Sequence, residues 1–231
     1  MASPVILIAL LGGLLPALLW LAFWMLEDRC EPEPKRYILL CFLLGMVCVP
    51  IALVVEQSAE ALYPLGSLPL LIIWAATEEI LKFSAAFLGA LRTRAFDEPL
   101  DAVVYLVTAA LGFSALENAM FLWGPLSQSE VLRGVITGDL RFIGASLLHT
   151  LASASIGISM ALAWRYRASV RRFAALLGVI LAISLHTAFN FFILGSGGGD
   201  STFWVFLAIW LGIVALLLMV ERIKQPARDY C

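Results

Sequence analysis

Seven stretches of this 231-residue chain are apolar for long enough to cross a bilayer, and nothing else constrains its fold as tightly. They run over roughly 4–26, 37–55, 68–91, 100–123, 142–164, 173–194 and 203–220. A helix needs about 20 such residues to span a hydrocarbon core. The chain is 62% hydrophobic and 14% charged, where soluble domains average about 45–50% and about 25%. A water-soluble core of this size could not bury that much apolar surface. The expected fold is therefore an all-α integral membrane protein, a polytopic bundle of about seven transmembrane helices. The connections between the spans are short and no repeat is visible, so residues 1–231 read as a single polytopic domain with its polar motifs in 68–194.

The first stretch has no basic flank and exceeds the apolar core of about 7–15 residues typical of a cleaved signal; it reads as a retained span. Lys and Arg residues set the orientation. Counted connection by connection from the N-terminus they number 0, 3, 0, 2, 2, 4, 0 and 3, with Lys82 left inside a span. Alternate sides thus hold 12 and 2, a strong positive-inside bias that puts the N-terminus outside and the C-terminus in the cytoplasm. A net charge of −2 without a basic stripe excludes a nucleic-acid partner. The cysteines show no metal-ligand spacing: Cys41 and Cys48 share one span, Cys30 lies in a charged connection and Cys231 is terminal. Free thiols are expected.

What such spans should not contain is charge, yet "ATEEILKF" places Glu78, Glu79 and Lys82 in the third. Glu117 follows in the fourth, His149 in the fifth and His186 in the sixth, and the chain has no other histidine. Each charge near a helix centre costs about 2.5–3.5 kcal/mol to insert, so these groups have to meet inside the bundle. Counting at about 1.5 Å per residue, Glu117, His149, His186 and the Glu pair lie roughly 6, 7, 8 and 11 residues from the outer ends of their spans. That is one layer, reached from four helices. His186 and Asn190 are four apart and share a face, and small residues flank His149 and Glu117, as helix contacts in lipid require. Lys82 sits one turn from both Glu78 and Glu79, an intrahelical ion pair that leaves the other carboxylate free. Asn118 and Asn190 suit interhelical hydrogen bonds.

A free carboxylate can deprotonate water, and histidine can hold or pass a proton at neutral pH. An amide or imidazole N–H can support a developing oxyanion. Two histidines and a glutamate, here His149, His186 and Glu117, also suit a zinc ion with one position open to water. No serine or cysteine stands in a nucleophile motif. Hydrolysis by activated water is the natural chemistry. The rival class, a proton- or ion-coupled transporter using the same residues as a relay, would be expected to show paired helix breaks in repeated halves, which the sequence lacks. A non-enzymatic scaffold leaves the buried charges without a role.

In order along the chain, "EEILK", "FDEPLDAVVYLVTAALGFSALEN", "RFIGASLLHT" and "HTAFN" resemble the motifs of PrsW-type intramembrane proteases. These stand within the wider group of bacterial CAAX-like (Abi) proteins and type II CAAX prenyl endopeptidases. The resemblance covers about residues 75–192. It implies a protease of a bacterial plasma membrane that cleaves membrane-anchored proteins, with anti-sigma factors a typical class and prenylated-protein processing a variant. It carries catalytic roles to Glu78, Glu79, Glu117, His149 and His186, with Asn190, Lys82 and Asn118 in support. It leaves a metallo- or glutamate-type mechanism open. Asp97, Glu98, Pro99 and Asp101 read as a helix start, where acidic groups favour the N-terminal dipole.

The orientation is testable directly. Reporter fusions in the "RYRASVRR" and "GSGGGDST" connections should report opposite compartments, the first cytoplasmic. The same compartment for both would overturn the seven-span topology and the common depth of the buried groups.

Overall fold

The computed structural model describes residues 4–27, 31–195 and 200–224, and among them every regular element is helical. Cys30 and Cys231 lie outside the described residues; Cys41 and Cys48 are buried free thiols. The helices are α1 (Pro4–Glu27), α2 (Lys35–Glu60), α3 (Leu68–Ala86), α4 (Asp101–Ser127), α5 (Val131–Leu140), α6 (Ser146–Leu162), α7 (Ala168–Gly195) and α8 (Asp200–Lys224). A π-helical turn, Phe87–Leu91, extends α3, and another, Arg141–Ala145, joins α5 to α6. In lipid an all-helical chain is the expected solution, because each helix satisfies its own backbone polar groups.

Six segments are long and apolar enough to cross a membrane. The seventh, α3 with its π turn, has the length but carries Glu78, Glu79 and Lys82. The bundle is organised around α4, whose most apolar 18-residue window is 83% buried against 22% in α1, α7 and α8. Every residue from Asp101 to Ala115 is buried. α4 packs on α1, α2, α3 and α6, while α7 lies against α3 and α6 and α8 against α6. Leucine, isoleucine and phenylalanine exposed on α1, α2, α7 and α8 form the lipid-facing surface. At one end of the bundle Lys224 closes on Glu27 at 2.5 Å, so α1 and α8 finish on the same face.

One connection differs from its sequence reading. The segment between the fourth and fifth spans is not a loop: Val131–Leu140 is a helix running through the π turn into α6. Val131, Leu132, Val135, Ile136 and Leu140 are all exposed, and their spacing gives one apolar face interrupted by Arg133, Thr137 and Asp139. Ten amphipathic residues are too few to register as a span, so the pattern is visible only as a helix attached to its neighbour. The start of α4 is as expected, with one addition. Asp101 is fully buried, and its Oδ2 accepts the backbone N–H groups of Asp97 and Glu98, each at 2.8 Å, fixing the turn that leads into the helix.

α2 and α4 approach closely enough that their backbones touch. A Cβ on Gly45 would lie 2.1 Å from the Ala109 carbonyl oxygen, and one on Gly112 would lie 2.0 Å from that of Phe42. Neither obstacle is a side chain that could swing aside. Gly112→Val should therefore lower the melting temperature in detergent sharply, since overpacking typically costs about 1–3 kcal/mol. Gly124→Ala, in the same helix with open space around it, should be neutral or slightly stabilising. Equal effects would mean that the helix contact does not depend on glycine.

Candidate active site

The third helix explains its own charges once its neighbours are in place. Along α3, Glu78, Glu79 and Lys82 fall on the buried face with Ala75, Ala85 and Ala86. Lys82 is fully buried, and an ammonium has three N–H donors and no acceptor. Its Nζ lies 2.6 Å from Glu79 Oε1, 2.8 Å from His149 Nδ1 and 3.5 Å from Glu78 Oε2. Three acceptors thus face three donors. His186 Nδ1 lies 2.8 Å from the same Glu79 Oε1, and Ser153 donates to Glu79 Oε2 at 3.4 Å. Glu79 is fully enclosed and fully satisfied.

The tautomers follow. Because Lys82 can only donate, His149 Nδ1 accepts, and the proton of a neutral ring sits on Nε2. There it meets Glu117 Oε2 at 2.9 Å. Because the Glu79 carboxylate can only accept, His186 donates from Nδ1, which leaves its Nε2 lone pair free. The two rings meet edge to face with centroids 5.3 Å apart. Each histidine therefore carries a carboxylate behind it and turns its other nitrogen toward Glu78. His149 Nδ1 lies 3.7 Å and His186 Nε2 3.9 Å from Glu78 Oε2.

Glu78, His149 and His186 each offer a donor atom within 4.8 Å of the other two. Two imidazole nitrogens and a carboxylate oxygen suit a divalent ion such as zinc with a position open to water. A carboxylate on the far nitrogen of each histidine is the outer shell that such an ion requires. The local charge agrees: among the described residues, Glu78, Glu79 and Glu117 face two fixed cations, Lys82 and Arg141. An ion bound to His149 Nδ1 would take the place of the Lys82 hydrogen bond, leaving that ammonium on Glu79. The donor set fits a metal.

The structure thus brings together Glu78, Glu79, Lys82, Glu117, His149 and His186, from α3, α4, α6 and α7. The sequence reading puts Glu117 third beside the two histidines; the carboxylate whose donor atom lies within 4.8 Å of one on each histidine is that of Glu78, and Glu117 stands behind His149. Spacing along four separate helices says nothing about which ring nitrogen a carboxylate meets. Asn118 does join the network, donating to Ser146 Oγ at 2.9 Å and Ser114 Oγ at 3.2 Å. Asn190 lies half-buried one turn beyond His186 and makes no hydrogen bond with its side chain among the described residues.

Two ionisable side chains that turn inward are absent from the sequence reading. Arg141, counted there among the connections, reaches in to Glu117 and Asn118. Glu56, assigned to the loop beyond the second span, is half-buried on α2, with Oε1 enclosed and without a partner among the described residues. The available signal was the same for both: an ionisable residue within two turns of an apolar stretch that a helix could extend to include.

Comparison with known proteins identifies the family. Residues 33–219 match the family described as PrsW family intramembrane metalloprotease. The chain is 26% identical to Protease PrsW of Geobacillus kaustophilus over 94% of its own length and 92% of that protein's. It is 25% identical to Protease PrsW of Shouchella clausii over 94% and 96% of the two chains, and 27% identical to that of Bacillus subtilis over 78% and 80%. No solved structure matches the chain. A match across most of the sequence, together with membrane-spanning helices that enclose a Glu–His–His group, places the chain in the PrsW family of intramembrane metalloproteases.

Proposed function

We propose that this protein is an endopeptidase of a bacterial plasma membrane that hydrolyses a peptide bond of a membrane-anchored protein, at a centre formed by Glu78, His149 and His186. The observation that carries this reading is the division of labour between the adjacent glutamates. Glu79 is committed to Lys82 at 2.6 Å and to His186 at 2.8 Å, whereas the Oε2 of Glu78 faces both histidines at 3.7 and 3.9 Å and meets Lys82 only at 3.5 Å. A divalent ion held by Glu78, His149 and His186, zinc by its donor types, would supply Lewis-acid polarisation and a lowered pKa for water. Anti-sigma factors are the substrate class that the family resemblance suggests.

The chain's own residues do the rest. The Glu78 oxygen not committed to such an ion takes a proton from the attacking water as the water's oxygen bonds to the scissile carbonyl carbon and the C=O π electrons move onto the carbonyl oxygen. It then returns that proton to the amide nitrogen as the C–N bond breaks. Glu79 and Glu117 hold the N–H groups of His186 and His149, which keeps the opposite ring nitrogens turned to the reacting centre. Lys82 balances the charge of Glu79 and its neighbours. The apolar bundle excludes bulk water, so each of these interactions acts in a medium of low dielectric.

Glu78→Gln keeps the shape and removes the base. Cleavage of a co-expressed single-span membrane protein should fall by about 10²–10⁴-fold, with the protein level unchanged. His149→Ala and His186→Ala should also stop cleavage. Glu79→Gln should lower stability as well, because it leaves a buried Lys82 short of its partner. Wild-type cleavage by Glu78→Gln would refute the assignment.

A further inference from the structure

Arg141 has no role in the chemistry described so far, yet it is the second cation of the site. Its side chain is 16% exposed and is held entirely by α4. One terminal nitrogen donates to Glu117 Oε2, Nε donates to Asn118 Oδ1 at 2.5 Å, and the guanidinium lies 3.9 Å from the centroid of the Phe121 ring. Phe121 lies one turn beyond both Glu117 and Asn118, so the three surround one patch of the helix surface. A planar fork can engage all three at once, and an ammonium cannot.

The backbone is arranged for this contact. Arg141 and His149 both bond Glu117 Oε2, although they are eight residues apart on one continuous helical segment. In an unbroken α-helix a spacing of eight places two side chains about 80° apart at 100° per residue. The π turn Arg141–Ala145 absorbs one additional residue, so eight acts as seven, and residues seven apart share a face. The irregular turn therefore brings Arg141 and His149 to the same oxygen.

We propose that Arg141 is a positioning residue of the active site. It fixes Glu117 so that its carboxylate holds the Nε2 proton of His149 and leaves Nδ1 turned to Glu78. Asn118 extends the same clamp to α6, by donating to Ser146. The inference rests on the reading of the Glu78–His149–His186 centre given above. It assigns Arg141 neither to the substrate nor to the reacting atoms: Nε and one terminal nitrogen are committed to Asn118 and Glu117 of α4.

The chain has two histidines, so protein labelled with 15N only at histidine gives a spectrum that resolves both rings. In the wild type, one ring should carry its proton on Nε2 (His149) and the other on Nδ1 (His186), with His186→Ala assigning the signals. Arg141→Gln should shift the Nε2–H signal of His149, whose tautomer Lys82 still sets, and leave His186 unchanged. Glu117→Gln should affect the same ring, and the double variant should move it no further than the larger single change. Arg141→Lys keeps the charge without the fork; it should shift His149 too, and it decides the matter if Arg141→Gln does not accumulate. In cleavage assays, both Arg141 variants should reduce kcat by about 10–100-fold, as loss of an outer-shell partner does, with KM unchanged. Unaltered His149 signals, equal movement of both rings, or additive effects of Arg141→Gln and Glu117→Gln would each overturn the proposal. The spectrum needs no substrate. Expected shifts in a protein that cleaves nothing would therefore uphold the positioning role and refute the hydrolase reading instead.

Discussion

The contact between Lys82 and Glu79 is the interaction on which the rest of the site depends. Both side chains have no exposed surface, and the ion pair is 2.6 Å long. Breaking such a pair strands a charge in a medium that cannot solvate it, typically at about 3–5 kcal/mol. The structure spreads that risk by giving each partner further contacts. Lys82 also reaches Glu78 and His149, and Glu79 also reaches His186 and Ser153. α3, α6 and α7 are joined through these two residues. In lipid, where apolar side chains gain little by leaving one another's company for acyl tails, such polar contacts and close packing supply what water supplies elsewhere.

The fold converts this network into a fixed geometry. α4 is buried throughout Asp101–Ala115 and delivers Glu117, Asn118 and Phe121 from its next turn, while its glycine contact with α2 keeps it from shifting. Four helices contribute to the centre, and none of its groups rides on a flexible loop. Sites built on rigid helices hold their groups to within the small tolerances that catalysis needs. The two histidines show the consequence. Opposite tautomers, each enforced by a partner that can only donate or only accept, present one unprotonated nitrogen apiece toward Glu78.

Much of this was legible in the sequence, because lipid makes charge conspicuous. Glu78, Glu79, Lys82, Glu117, His149 and His186 stand out against apolar runs, and the insertion cost alone requires them to meet. Less visible were the pairings within the group. That Glu78 faces the inner nitrogens of both histidines while Glu117 backs His149 depends on ring orientation, which sequence spacing does not encode. Arg141 and Glu56 were obscured by their position near the ends of spans, where charge is ordinary. The π turn hid Arg141 further, since regular helical spacing places it off the face of His149. α5 was lost for a related reason, being too short to announce itself without the helix it continues.

The central claim is that Glu78, His149 and His186 form one centre able to hold a divalent ion. X-ray absorption at the zinc edge, on purified protein loaded with one equivalent of zinc, tests it most directly. Two imidazole nitrogens at about 2.0–2.1 Å with the remaining donors oxygen, and loss of that signal in both His149→Ala and His186→Ala, are the predicted result. Sulfur donors, or a zinc environment unchanged by either substitution, would contradict it.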